Sequence, residues 1–225
     1  MRGAIFDLDG TLADTAGDLL GAANVVLARH GLATLDPVAD RPHAGRGGRA
    51  MIRRALAIEG RDPDAPGERD LTDAIYPELL IAYEGRIAEE TVLFDGVEHC
   101  LEALAAGGWR VGVCTNKPER LALMLLERLG VLDRFGAVLG ADTLAVRKPD
   151  PAHFTETARR IGADPARSVM LGDTRTDLET ARAAGVPVVI TGFGFAGEPM
   201  EVLAPDAVVA HYDEIPGVLE RLSAV

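Results

Sequence analysis

The chain has 225 residues, 48% of them hydrophobic and 26% charged, enough for one large core or for a core plus a smaller domain. Twenty-three basic against 35 acidic side chains give a net charge of -12, which argues against nucleic acid or an anionic membrane as partner. A small anion at a locally positive site stays compatible with that balance. Cys100 and Cys114 predict reduced thiols packed in or near a core. The apolar runs are too short to span a membrane, and a strand starting near residue 2 leaves no room for a secretion signal. The expectation is a soluble cytoplasmic protein, monomer or homodimer.

In chain order, Ala4-Ile5-Phe6 reads as a buried β-strand, and Asp7 and Asp9 follow it directly in FDLDGTL. Beyond it the strand pattern stops. Leu19, Leu20, Ala23, Val26 and Leu27 recur at helical spacing until Gly31, and 51–58 and 71–87 also read as helices. From 92 onward helices are predicted at 95–106, 118–129, 150–161, 178–184 and 215–222. Strands are predicted at 109–115, 137–139, 168–171, 186–190 and 207–210. The expected fold is α/β, a Rossmann-like parallel sheet with helices on both faces. Its core would comprise 1–14 and 92–225, with an all-helical domain, 15–91, inserted after the first strand.

In an open parallel sheet, ligands bind outside the carboxyl ends of the strands. The residues just after the strands here are chemically alike. Asp7, Asp9 and Thr11 follow the first, Thr115, Asn116 and Lys117 the second, and Lys148 stands beyond the third. Gly172, Asp173 and Asp177 follow the fourth. Two carboxylates placed as close as Asp7 and Asp9 repel each other and lose hydration, so a cation or a chemical task must offset the cost. Asp7, Asp9 and Asp173 are hard oxygen groups suited to Mg²⁺, with Asp177 one helical turn on as support. Lys148 brings a compact positive charge, Thr11 and Thr115 bring hydroxyls, and N–H groups of residues 8–12 and Asn116 are further donors. Together they predict a phosphoryl site.

The segments DLDGTLADT, VCTNKP, RKPDP and GDTRTD resemble, in order and over the whole chain, the haloacid dehalogenase superfamily, most of whose members are phosphohydrolases. The helical insertion falls where that family has its cap domain. VGVCTNKPERL, RKPDP and MLGDTRTDLETARAAGV look like the phosphoglycolate phosphatase branch. The resemblance implies Mg²⁺-dependent hydrolysis of a small phosphorylated metabolite, 2-phosphoglycolate first. Asp7 would be the nucleophile that forms an aspartyl-phosphate, and Asp9 the acid and base. Asp7, the Asp9 carbonyl and Asp173 would hold Mg²⁺. Thr115 and Lys148, with Thr11 and Asn116, would bind the phosphoryl group. A sugar-phosphate phosphatase or phosphomutase is the alternative, although mutases of the family usually carry Glu-Asp-Ser at the fourth motif and glycine where Asp177 stands. A phosphate-accepting signalling domain is more remote, because such domains are about half this length and lack the helical insertion.

Other stretches have competing readings. In RPHAGRGGR, 41–49, Arg46 or Arg49 is expected either to meet a second anionic group such as a substrate carboxylate, or to lie in a polar turn entering the next helix. GFGFAG, 192–197, spells a dinucleotide fingerprint after a strand. Only eight residues separate Gly197 from Asp206, too few for the crossover helix, so a mobile or turn-rich loop near the site is expected instead. The five histidines lack zinc-type spacing and are mostly expected at the surface or at helix ends. Trp109 reads as packing, and the Arg53-Arg54 and Arg159-Arg160 pairs as solvated helix faces.

Overall fold

The computed structural model describes residues 1–195 and 204–223. Within them the chain divides into two compact units, Met1–Asp14 with Leu93–Val225, and Thr15–Val92. In chain order the elements are β1 (Gly3–Phe6), β2 (Ala13–Asp14), α1 (Ala16–Arg29), α2 (Arg41–Ala44), α3 (Gly48–Ile58), α4 (Pro66–Glu84), β3 (Val92–Leu93) and α5 (Val97–Ala106). There follow β4 (Arg110–Cys114), α6 (Glu119–Arg128), β5 (Val138–Leu139), α7 (Pro151–Arg160), β6 (Ser168–Gly172), α8 (Arg175–Ala184), β7 (Val188–Thr191), β8 (Ala207–Val209) and α9 (Ile215–Ser223). None of the described helices is long and apolar enough to cross a membrane.

The first unit is built on a six-stranded sheet in the order β5-β4-β1-β6-β7-β8, and the pairs are parallel. All four residues of β1 are buried, as expected of a central strand covered by helices on both faces. Gly3 pairs with Arg110 and Ser168, and Phe6 with Val113 and Leu171. That register brings the strand ends before Asp7, Thr115 and Asp173 to one edge, where the order departs on either side of β1. Behind them Ile5, Cys114, Phe154, Ala158, Met170, Leu178, Val188 and Ile190 form one apolar cluster. Helix α7 starts where Asp150 accepts the Ala152 N–H at 2.9 Å and Pro151 takes the first position.

The second unit is helical throughout its described elements. Leu20, Ala23, Val26 and Leu27 of α1 are buried, as are Met51, Ile52, Ala55 and Leu56 of α3 and Ile75, Leu79 and Tyr83 of α4. The helix starts differ from the sequence pattern. Helix α3 begins at Gly48 rather than 51, and α4 at Pro66 rather than 71, because Pro66 sits in the first turn after an extended Ala65. Arg41–Ala44 is a short helix, where a loop or turn was expected. In the core, α5 begins at Val97 rather than 95, since Gly96 holds a left-handed conformation with φ 84°. Helix α8 begins at Arg175, ahead of the apolar residues that signal it from 178.

Candidate active site

Asp7 leaves the end of β1 with its backbone N–H still bonded to the Leu171 carbonyl at 2.8 Å. Its Oδ1 accepts the Leu8 N–H at 2.7 Å and lies 3.0 Å from Lys148 Nζ. Lys148, 3% exposed, also donates to Asp177 Oδ1 at 2.6 Å. The other Asp177 oxygen turns back on its own helix start and accepts the Thr174 hydroxyl at 2.6 Å and the Thr174 N–H at 3.0 Å. This carboxylate at the start of α8 therefore anchors Lys148 and caps the helix at once.

Asp173 is held at both oxygens. Oδ1 accepts the Thr11 hydroxyl at 3.0 Å, and Oδ2 accepts the Phe195 N–H at 2.8 Å. Oxygens of Asp7, Asp173 and Asp177 lie within 4.8 Å of one another, all three residues buried. Burial, opposed by Lys148 and aided by Asp177 and Asp9, raises the Asp7 carboxyl from 3.8 to about 6. Asp173 is pushed well above the usual carboxylate range by burial and by the Asp177 and Asp7 charges. Burial alone would pull the Lys148 ammonium down, but Asp177 and Asp7 hold it above its ordinary range.

Asp9 stands apart from this cluster in its side chain, with Oδ1 accepting Lys117 Nζ at 2.8 Å. Thr115 is buried, and its Oγ1 accepts the Lys117 N–H at 3.2 Å, which leaves the hydroxyl proton for another partner. Asn116 donates through Nδ2 to the Lys148 carbonyl at 3.0 Å, tying the two lysine-bearing loops together. The side chains of Thr11 and Asn116, expected on the phosphate, thus brace Asp173 and Lys148. Residues 8–12 spend several N–H groups on their own turn: Gly10 to the Ala13 carbonyl, and Thr11 and Leu12 to that of Leu8. Among the described residues the N–H groups of Asp9 and Asn116 donate to no protein acceptor.

Lys117 is the functional residue sequence reasoning left unassigned. It is buried within an acidic site, although it follows Thr115-Asn116 like an ordinary loop lysine. The signal available was charge. Asp7, Asp9, Asp173 and Asp177 outnumber Lys148 by more than one divalent cation offsets, whereas with Lys117 the excess is two negative charges. A hard divalent cation therefore fits these residues. Asp177 is bonded to the Lys148 ammonium and to Thr174, whereas Asp173 accepts only from neutral donors, so Asp173 and Asp7 are the carboxylates whose remaining lone pairs could take the ion. Gly172 supports the arrangement by having no side chain, since a Cβ there would fall on the Asp177 carboxyl.

Arg46 and Arg49 belong to the helical unit, where Arg49 Nε pairs with Asp73 at 2.8 Å and its guanidinium lies 3.8 Å over the Tyr76 ring. His153 departs from the surface expectation: it is fully buried, Nε2 lies 3.0 Å from the Gly140 carbonyl, and Nδ1 lies 3.4 Å from Cys114 Sγ. Burial, helped by the Lys148 charge, lowers its pKa to about 4 and keeps it neutral. Both cysteines are free and buried, and burial pushes each thiol up to about 12. Arg54 is not simply solvated, because it pairs at 2.6 Å with the buried Asp40. Trp109 packs in the core and donates to Glu220 at 3.0 Å. In the stretch that spells a dinucleotide motif, Phe195 N–H serves Asp173, while Ala196, Gly197 and Pro199 lie outside the described residues.

The sequence profile of the haloacid dehalogenase-like hydrolases matches residues 4–191. A phosphoglycolate phosphatase of Mesorhizobium japonicum is 41% identical over 219 residues, covering 97% of this chain and 95% of that protein. One from Agrobacterium fabrum is 41% identical over 97% of this chain and 93% of its own. The crystal structure of a predicted phosphoglycolate phosphatase from Haemophilus somnus 129PT superposes with a TM-score of 0.84 at 25% identity, covering 96% of each chain. The chain belongs to the haloacid dehalogenase-like hydrolase family.

Proposed function

We propose that this chain is a Mg²⁺-dependent phosphatase that hydrolyses 2-phosphoglycolate through an aspartyl-phosphate on Asp7. The observation that carries the chemistry is the single buried cluster of Asp7, Asp173, Asp177 and Lys148, with Asp9 beside it on Lys117. The substrate rests on the extent of similarity to phosphatases named for it, 41% over nearly the whole chain.

In this reading Asp7 and Asp173 would hold Mg²⁺ with the Asp9 carbonyl, and the ion would supply charge neutralisation at the phosphoryl oxygens. With Asp7 Oδ1 fixed by the Leu8 N–H and Lys148, Oδ2 attacks phosphorus. The bond from phosphorus to the ester oxygen breaks, and Asp9, which enters this step protonated, gives that oxygen its proton. Water then attacks the phosphoenzyme, Asp9 takes the water's proton, and the bond from phosphorus to Asp7 breaks to release phosphate. The Thr115 hydroxyl, the Lys148 ammonium and the N–H groups of Asp9 and Asn116 are the donors for the charge that develops on the phosphoryl oxygens.

The test is phosphate release from 2-phosphoglycolate, several sugar phosphates and a nucleoside monophosphate, with Mg²⁺, with chelator, and with Asp7→Asn. The proposal expects release concentrated on 2-phosphoglycolate, lost with chelator and with Asp7→Asn. Release spread over the sugar phosphates would overturn the substrate, and release from Asp7→Asn would overturn the mechanism.

A further inference from the structure

One fully buried hydroxyl near the site has no part in that chemistry. Tyr212 opens the 3₁₀ turn Tyr212–Glu214, more than 200 positions after β1. Its Oη donates to the Thr11 carbonyl at 2.5 Å, a direction the chemistry fixes because a carbonyl only accepts. The turn that carries it is itself pinned: Glu214 accepts the Ala210 and His211 N–H groups at 2.8 and 3.0 Å, and the His211 ring accepts the Asp213 N–H at 3.2 Å.

Tyr212 touches both loops that hold Asp173. Through its hydroxyl it fixes the backbone of Thr11, whose own hydroxyl donates to Asp173 Oδ1. Through its ring it packs against Phe193, centroids 5.6 Å apart, and Phe193 packs on Phe94 at 4.9 Å. Phe193 lies two residues before Phe195, whose N–H donates to Asp173 Oδ2. Between them Gly194 runs so close that a Cβ would fall on the Asp173 side chain and the Gly10 carbonyl. Both carboxylate oxygens of Asp173 are thus aimed by segments that converge on one tyrosine.

We propose that Tyr212 is a positioning residue for the cation, acting with Phe193 as a brace that presets the Asp173 carboxylate for metal binding. A ligand already held in its binding rotamer loses less freedom when the ion arrives, so the brace sets metal affinity rather than the chemical step. This inference rests on the metal site proposed above.

Calorimetric titration of Mg²⁺ into the substrate-free full chain tests it, comparing wild type, Tyr212→Phe, Phe193→Leu and Asp173→Asn. Tyr212→Phe keeps the ring and removes only the donor, and is expected to weaken Mg²⁺ binding about five-fold, the worth of one neutral hydrogen bond. Saturating Mg²⁺ is expected to restore the kcat and KM of Tyr212→Phe. Phe193→Leu, which reaches the brace from the other loop, is expected to weaken Mg²⁺ binding too and serves if Tyr212→Phe does not fold. Adding Thr11→Val to Tyr212→Phe is expected to weaken binding by less than the sum of the two single effects, because both act through one link. Unchanged Mg²⁺ affinity in Tyr212→Phe and Phe193→Leu, with affinity lost in Asp173→Asn, overturns the brace and leaves the site standing. Wild-type affinity in Asp173→Asn overturns the metal site itself.

Discussion

Asp9 meets the Lys117 ammonium at 2.8 Å, while Asp7, two residues earlier, meets that of Lys148 at 3.0 Å. The same short turn therefore carries two carboxylates on two separate lysines. Lys117→Met leaves Asp9 without its charge-assisted partner, and kcat is expected to fall about 10-fold or more, the worth of such a bond. Steady-state kinetics checks it, and a kcat within two-fold of wild type would show that Asp9 needs no such support. The carboxylates were legible because FDLDGTL and GDTRTD place acidic groups at strand ends. Lys117 was placed at the same strand ends but given no role, since spacing does not show that its ammonium turns to Asp9. Thr11 and Asn116 were read correctly as near the site, but whether a short polar side chain faces a ligand or a neighbouring loop depends on a rotamer, which spacing does not encode.

At the scale of elements, the junction between β6 and α8 does most of the positioning. Gly172 ends the strand and Thr174 precedes the helix, and Asp177 folds back over both. A Cβ at Gly172 would fall on the Asp177 carboxyl, so Gly172→Ala is expected to cost about 1–3 kcal/mol of overpacking and to loosen Lys148 with it. A thermal melt and phosphatase kinetics on the same variant check this, and unchanged values in both would mean that Asp177 can move freely. Strand ends and the order of elements were readable because buried parallel strands are short apolar runs bounded by turn residues. Helix starts were read late at α3, α4 and α8, since first turns there are polar and carry no apolar periodicity. At α5 the error ran the other way: the pattern does not show that Gly96 is left-handed. His153 lies at a helix end as expected, but its burial was not legible, because a histidine in a first turn gives no sign that Cys114 and the Gly140 carbonyl wait on its inner side.

For the molecule as a whole, the charge that bounds its partners also bears on its stability. The net charge is -12, and the core concentrates four carboxylates around two lysines at one sheet edge. In the metal-free protein the Asp7 carboxyl sits at about 6, above its ordinary 3.8, so folding favours its protonated form. That contribution is fully present below 3.8 and is lost as pH rises through about 6. Mg²⁺ binds the ionised carboxylates instead, so the rise in Tm on adding Mg²⁺ is expected to grow between pH 4 and pH 7, the window of that shift. Calorimetric melts with and without Mg²⁺ across that range check it, and a gain that is flat with pH would contradict the site. The helical unit, Thr15–Val92 against the expected 15–91, was legible because strand periodicity disappears directly after the first strand. The partner of Arg49 was not, because a glycine-rich basic stretch encodes neither the short helix at Arg41–Ala44 nor the pairing of Arg49 with Asp73.

The central claim is that Asp7 carries the phosphoryl group during turnover. It is tested most directly by acid-quenching the Asp9→Ala variant during reaction with Mg²⁺ and ³²P-labelled 2-phosphoglycolate, then mapping the label by peptide mass spectrometry. With the proton carrier gone both proton-transfer steps slow, and the phosphoenzyme that forms persists for want of a base to activate water, so label is expected on the peptide containing Asp7, acid-stable and released by hydroxylamine. Asp7→Asn should carry none. Phosphate release at the wild-type rate with no label on any peptide, or label on a residue other than Asp7, would contradict the account.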